Sequence, residues 1–285
     1  MSDILSSTDY LVSTDWLKAQ TEGAVQIVEA TFFLPTMGRD AQAEFEAEHI
    51  PGAVFFDIDS VSQPESELPH MLPDSHHFAE MMQALGLDSD RPIIVYDRSP
   101  FLSSARAWWM LRYFGHNQVA LLDGGFAGWR AAGGAVQSGP SEKTNGNFSA
   151  NAQDGFHAIL ITQLADMIAS NTSPQIIDAR AADRFSGQSP EPRPGLRSGH
   201  IPGAINVPIS SVFGSDGTIK TSEQLVSLFS EAGVDMKAPA ITSCGSGVTA
   251  CGLIFAFALA GKTDVTLYDG SWSEWGASDL PIETS

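Results

Sequence analysis

His49-Ile50-Pro51-Gly52-Ala53 is written a second time, without a change, as His200-Ile201-Pro202-Gly203-Ala204. Outward from this pair, two further blocks recur in the same order and at nearly the same offset. Leu122-Asp123-Gly124-Gly125-Phe126-Ala127-Gly128-Trp129 returns as Tyr268-Asp269-Gly270-Ser271-Trp272-Ser273-Glu274-Trp275. Ile93-Ile94-Val95-Tyr96-Asp97 lines up with Ala240-Ile241-Thr242-Ser243-Cys244. Three ordered matches at this spacing indicate a duplicated unit of domain size. The polar run Ser138-Gly139-Pro140-Ser141-Glu142-Lys143-Thr144-Asn145-Gly146-Asn147 falls between the copies and has the composition of a linker. The expected organisation is therefore an N-terminal domain over residues 1–139, a linker over 140–156 and a C-terminal domain over 157–285.

Short apolar runs predict strands at Gln26 to Ala30, Val54 to Phe56, Ile93 to Tyr96 and Val119 to Leu122. Their counterparts in the second copy are Gln175 to Ile177, Ile205 to Val207, Ala240 to Ser243 and Val265 to Tyr268. Helix-like segments separate them. Phe78, Met81, Met82 and Leu85 share a helical face ahead of Gly86, and Leu225, Leu228 and Phe229 follow a Thr221-x-x-Gln224 capping box. Continuous apolar strands with helices between them are the pattern of α/β domains with mainly parallel sheets. The segment Ser104 to Phe114, with Trp108 and Trp109, reads as an aromatic helix packed on such a sheet.

With 285 residues and 43% hydrophobic content, the chain can bury substantial cores. Its formal charge of -19 argues against a nucleic-acid partner, which demands clustered Lys and Arg, and an anionic substrate needs a local cationic patch. The two cysteines, Cys244 and Cys251, imply neither a disulfide framework nor a metal cluster, and they suit a reducing cytosol. The acidic N-terminus lacks the features of a targeting signal, and the longest apolar run, Leu253 to Ala260, is too short for a bilayer. A cytoplasmic protein with no membrane partner is expected.

Cys244 stands where a strand-like run gives way to Gly245-Ser246-Gly247 and then to the helical segment Val248 to Ala260. A strand-loop-helix junction gathers backbone N–H groups at the positive end of a helix dipole, which stabilises an anion at the loop's centre. A cysteine there is set up to react as a thiolate nucleophile. Gly245 and Gly247 let the backbone curl, while Ser246 and Thr249 supply hydroxyls. The competing reading, a buried inert cysteine, is the one that fits Cys251, seven residues on inside an apolar helix. Phosphatases of the Cys-x5-Arg type need an arginine at the position held by Ala250, to clamp a phosphoryl group. Its absence counts against phosphatase and arsenate-reductase chemistry.

The loop Cys244-Gly245-Ser246-Gly247-Val248-Thr249-Ala250 resembles the active-site loop of the mercaptopyruvate sulfurtransferases of the rhodanese family. The resemblance runs through Arg39-Asp40-Ala41, Phe55-Phe56-Asp57-Ile58-Asp59, His70-Met71-Leu72-Pro73, Trp108-Trp109-Met110, Asp178-Ala179-Arg180 and Pro190-Glu191-Pro192-Arg193. It implies two tandem rhodanese-like domains, with the cysteine in the second only, since Asp97 holds the matching place in the first. One departure is Ser104-Ala105-Arg106-Ala107, where the family commonly shows a proline between alanine and arginine.

The resemblance also implies an activity, in which sulfur passes from 3-mercaptopyruvate through a Cys244 persulfide to cyanide, a small thiol or thioredoxin, without a metal or organic cofactor. Arg184 and Arg193 match the arginines that hold the donor's carboxylate and keto group, and Gly245, Gly247, Val248 and Thr249 belong to the substrate-binding loop. These two are among four of the ten arginines, Arg180, Arg184, Arg193 and Arg197, that crowd the stretch before His200. Arg180, beside Asp178, is expected in a structural ion pair, and Arg197 in solvent. Thiosulfate is the alternative donor. Enzymes that prefer it carry basic residues directly after the cysteine, where this chain has Gly245 and Ser246, so arginines farther off favour a longer donor. A persulfide carrier module is a further alternative. Residues matching His70, Asp59 and Ser246 have been assigned a proton relay in this family; the competing reading is that His70 orders a loop and Asp59 caps a turn. His49 and His200, present in both copies, are expected to be structural.

Overall fold

The computed structural model describes residues 5–21, 23–141, 145–152 and 155–284. Residues 142–144 and 153–154 of the expected linker lie outside the described residues. The chain divides into two compact units. One takes in the chain up to Pro64, the stretch from Leu72 to the middle linker, and Ser215–Ile219. The other takes in Glu65–Met71, the stretch from the linker to Gly214, and the chain from Lys220 onward. A short segment of each half in sequence is thus a member of the other half's unit.

The first unit contains strands β1 (Leu11–Val12), β2 (Gln26–Glu29), β3 (Ala53–Phe55), β4 (Ile93–Tyr96) and β5 (Val119–Leu122). They form one parallel sheet in the order β1-β5-β4-β2-β3. The second unit contains β6 (His157–Ile159), β7 (Gln175–Asp178), β8 (Ile205–Asn206), β9 (Ala240–Ser243) and β10 (Val265–Tyr268), in the order β6-β10-β9-β7-β8 and again all parallel. The two sheets share a topology. Every residue of β4, β5 and β9 is buried, because helices cover both faces of a parallel sheet. This is the α/β fold expected, with two edge strands, β1 and β6, that the sequence reading did not single out.

The predicted helices are present. Ser75–Ala84 is capped by Asp74, which accepts the His77 amide at 2.8 Å, and Gly86 follows it at a φ of 79°. Ser222–Glu231 carries the Thr221 and Gln224 capping box, and its Phe229 stacks on Phe257 with centroids 3.8 Å apart. Trp108 and Trp109, on Ser104–Tyr113, are fully buried in the first unit.

The duplicated His-Ile-Pro-Gly-Ala block does the same structural work twice. His49 Nδ1 lies 2.8 Å from the Phe45 carbonyl, and its ring stacks on Phe45. His200 Nδ1 lies 2.8 Å from the Phe185 carbonyl, and its ring stacks on Phe185. Each histidine backbone forms an isolated antiparallel bridge, His49 with Gln137 and His200 with Glu283. The amides of Gly52 and Gly203 donate to the side chains of those same two partners. Among the described residues no helix is long and apolar enough to cross a membrane.

Candidate active site

Cys244 follows directly on β9 and is 2% exposed. β9 pairs with β7 so that Ser243 lies opposite Asp178, and the Ala179 amide donates to the Ser243 carbonyl at 2.9 Å. Strand β8 lies on one side of β7, with β9 and β10 on the other. Cys244 and the segment carrying Arg180 therefore emerge from the carboxyl ends of neighbouring strands where the strand order reverses, the place at which open α/β sheets bind ligands.

The cysteine loop is fastened to the short helix Ser271–Trp275. Ser271 Oγ accepts the amides of Cys244 and Gly247, each at 3.1 Å, and donates to the Tyr268 carbonyl at 2.9 Å. The Cys244 carbonyl accepts from the Trp272 amide, and the Gly245 carbonyl accepts from both the amide and the hydroxyl of Ser273. Gly247 takes a φ of 80° and begins the 12-residue helix Val248–Leu259. The amides of Gly245, Ser246, Val248 and Thr249 have no acceptor among the described residues. These donors sit at the positive end of that helix and suit an anion held at the loop.

Gly245 differs from the expectation. It does not adopt the left-handed φ that Gly247 does, so tight curling is not what requires glycine there. A Cβ at Gly245 would lie 3.3 Å from Arg184 Nη2 and 3.9 Å from Arg193 Nη1. A side chain at 245 would therefore press on the Arg184 guanidinium, which would have to give by a few tenths of an ångström, and would be in ordinary contact with Arg193. Arg184 and Arg193 are thus brought to the cysteine loop rather than held away from it, which chain distance alone did not disclose.

Asp178, Arg180, Glu191 and Arg184 form a continuous chain of charges. Arg180 is 2.7 Å from Asp178 Oδ2 through Nη2 and 2.8 Å from Glu191 Oε1 through Nη1. Its Nη2 also donates to the Gly199 carbonyl, and its guanidinium lies 4.3 Å from the Trp272 ring centroid. Burial alone lowers the Arg180 pKa, but Asp178 and Glu191 outweigh it and hold the group above its ordinary value. Arg184 Nη2 bonds to Glu191 Oε2. Arg197, expected in solvent, is half-buried and donates to the carbonyls of Trp275, Gly276 and Leu280, so it ties down the end of the chain.

His70, with an unusual φ of 61°, belongs to the segment Glu65–Met71 of the second unit. Its Nδ1 lies 2.8 Å from Ser246 Oγ, and both residues are buried. Asp59 is an exposed residue of the first unit, in the first turn of the helix Ile58–Val61. The residue that caps this helix is Asp57, which accepts the Asp59 amide, so Asp59 is not itself the cap.

The first unit repeats the frame without the thiol. The Phe126 amide donates to the Asp97 carbonyl at 3.0 Å, as that of Trp272 does to Cys244. Gly125 stands where the second copy has Ser271; a Cβ there would meet the Asp97 carbonyl oxygen at 2.5 Å. The Asp97 carboxylate accepts the Ser104 amide at 2.6 Å, and burial, the largest influence, pushes its pKa up to about 6. Sequence reasoning missed two residues at the cysteine loop, Ser271 and Glu191. The first was signalled by the Gly-to-Ser difference inside a repeated block, the second by an acid set among arginines. Among the described residues no group of three or more His, Cys, Asp or Glu is placed to hold a metal ion.

Residues 13–132 and 160–278 each match the family described as Rhodanese-like domain, and the chain belongs to this family as a tandem-domain member. Its likeness to particular members is high over nearly the full length. It is 44% identical over 282 residues to a 3-mercaptopyruvate sulfurtransferase of Escherichia coli strain K12, covering 97% of this chain and 99% of the relative. It is 40% identical over 272 residues to a thiosulfate sulfurtransferase of Gallus gallus, covering 93% and 92%. The crystal structure of SseA from Escherichia coli, presented as showing the rhodanese fold of 3-mercaptopyruvate sulfotransferases, matches with a TM-score of 0.83 at 42% identity, covering 93% of this chain and 99% of SseA.

Proposed function

We propose that this chain is a 3-mercaptopyruvate sulfurtransferase that works through a persulfide on Cys244. The observation that carries the reading is the loop itself. A buried cysteine lies at the start of a 12-residue helix, beside four amides without an acceptor among the described residues and two guanidinium groups at Gly245. Arg184 and Arg193 hold the donor's carboxylate and keto group, for which the guanidinium fork is suited. The Cys244 thiolate attacks the donor sulfur, and the carbon–sulfur bond breaks with its electron pair going to carbon. The resulting enolate takes up the proton that the donor thiol gives up, so that pyruvate leaves and Cys244 carries an anionic outer sulfur. Ser246 and His70, 2.8 Å apart, are the groups through which that proton moves. The loop amides hold the outer sulfur until cyanide, a small thiol or thioredoxin attacks it. That step breaks the sulfur–sulfur bond and returns its electron pair to Cys244, closing a ping-pong cycle.

The test is pyruvate release from 3-mercaptopyruvate with a small acceptor, alongside the mass of the protein after donor treatment alone. Turnover and a gain of one sulfur are expected. Cys244→Ser removes both and Cys251→Ser neither; the reverse pattern overturns the assignment, and a single burst without turnover makes the protein a carrier.

A further inference from the structure

We infer that Glu191 is a specificity-determining residue, whose carboxylate restrains the positive charge offered at the cysteine loop and so favours a donor with one negative charge over a compact dianion. The inference rests on the sulfurtransferase reading and adds a residue to it. Both oxygens of Glu191 are held by guanidinium groups, Oε1 by Arg180 at 2.8 Å and Oε2 by Arg184, and its side chain is 2% exposed. A partner for Arg180 alone does not require this acid, because Asp178 already binds Arg180 Nε and Nη2. Glu191 reaches past Arg180 to the arginine that comes up against Gly245. Pro190 and Pro192 flank it and narrow the backbone conformations open to it.

The consequence is electrostatic. The chain Asp178–Arg180–Glu191–Arg184 alternates in sign and sums to zero, so Arg184 presents donor groups at the loop without an unanswered full charge. Its Nε is buried and has no hydrogen-bond partner among the described residues. A carboxylate that is remote from the reacting sulfur needs such directional donors and little net charge. Thiosulfate concentrates two negative charges next to its transferable sulfur, and there the Glu191 carboxylate repels it through a medium that screens poorly. Discrimination thus comes from a fixed repulsive charge as well as from favourable contacts.

The experiment compares kcat/KM for 3-mercaptopyruvate and for thiosulfate in the wild type, Glu191→Gln and Glu191→Asp. Glu191→Gln is expected to raise the ratio of thiosulfate to 3-mercaptopyruvate on the order of tenfold. Glu191→Asp keeps the charge but shortens the reach, and it should weaken both donors in parallel, leaving the ratio within about twofold. An unchanged ratio in Glu191→Gln, or the same shift in both variants, overturns the inference. The wild-type ratio tests the donor reading separately from the change that tests Glu191. Should Glu191→Gln fail to fold, calorimetric binding of pyruvate and of sulfate to the wild type decides the matter. Pyruvate must bind more tightly, on the order of tenfold, and equal or tighter binding of sulfate sinks the inference.

Discussion

Ser271 Oγ accepts the amide of Cys244 at 3.1 Å, with Ser271 itself at a φ of 50°. One hydroxyl therefore ties the backbone of Cys244, and that of Gly247, to the end of β10, and the loop does not owe its shape to its glycines alone. Ser271→Ala keeps the Cβ but leaves two buried amides without an acceptor. It is expected to cost about 2 kcal/mol of unfolding free energy and about tenfold in kcat, since small displacements of a reacting group are expensive. Urea unfolding and steady-state rates check this; a variant with wild-type kcat would show that the loop holds its own geometry.

Gly245→Ala tests the close approach of the arginines. The added Cβ would sit 3.3 Å from Arg184 Nη2, and Arg184 is tethered to Glu191 and cannot simply swing away. Displacing the guanidinium by a few tenths of an ångström should raise KM for the donor severalfold, about threefold to tenfold, with kcat little changed. A fall in kcat at constant KM would place the strain on Cys244 instead.

Arg184→Lys retains the charge and loses the fork. A lysine ammonium cannot hold Glu191 and a donor carboxylate in the same planar arrangement. The expected result is a loss in kcat/KM for 3-mercaptopyruvate of about a hundredfold, carried mainly by KM. A tenfold-or-smaller loss would mean that charge alone suffices at this position.

Most of the fold was legible because its two governing signals are local: unbroken apolar runs such as Ile93–Tyr96 and Ala240–Ser243, and blocks that recur in order. Strands β1 and β6 escaped because two or three residues at a sheet edge carry too short a pattern. Cys244 was legible from its strand-loop-helix setting, whereas its supports were not. Ser271 is 27 residues on and reaches the loop only when β9 and β10 pair. The side chains that come up against Gly245 likewise lie more than fifty residues earlier in the chain. The exchange of Glu65–Met71 and Ser215–Ile219 between the units leaves no periodic mark, so the contact of His70 with Ser246 was available only from resemblance.

Asp97 provides a pH-dependent prediction. Burial raises its pKa from an ordinary 3.8 to about 6 in the folded chain, so folding favours its protonated form. The cost of holding it ionised is absent below the unfolded value, develops as the pH rises from 3.8 to about 6, and is complete above that. A difference of this size corresponds to about 3 kcal/mol, an upper figure for what a neutral replacement can recover. Asp97→Asn keeps an oxygen for the Ser104 amide and removes the charge. It is therefore expected to raise the urea midpoint at pH 7.5, by an amount equivalent to about 1–3 kcal/mol, and to lose that advantage near pH 4. Parallel destabilisation at both pH values would instead show that the carboxylate, ionised, is what the Ser103 and Ser104 end of the helix requires.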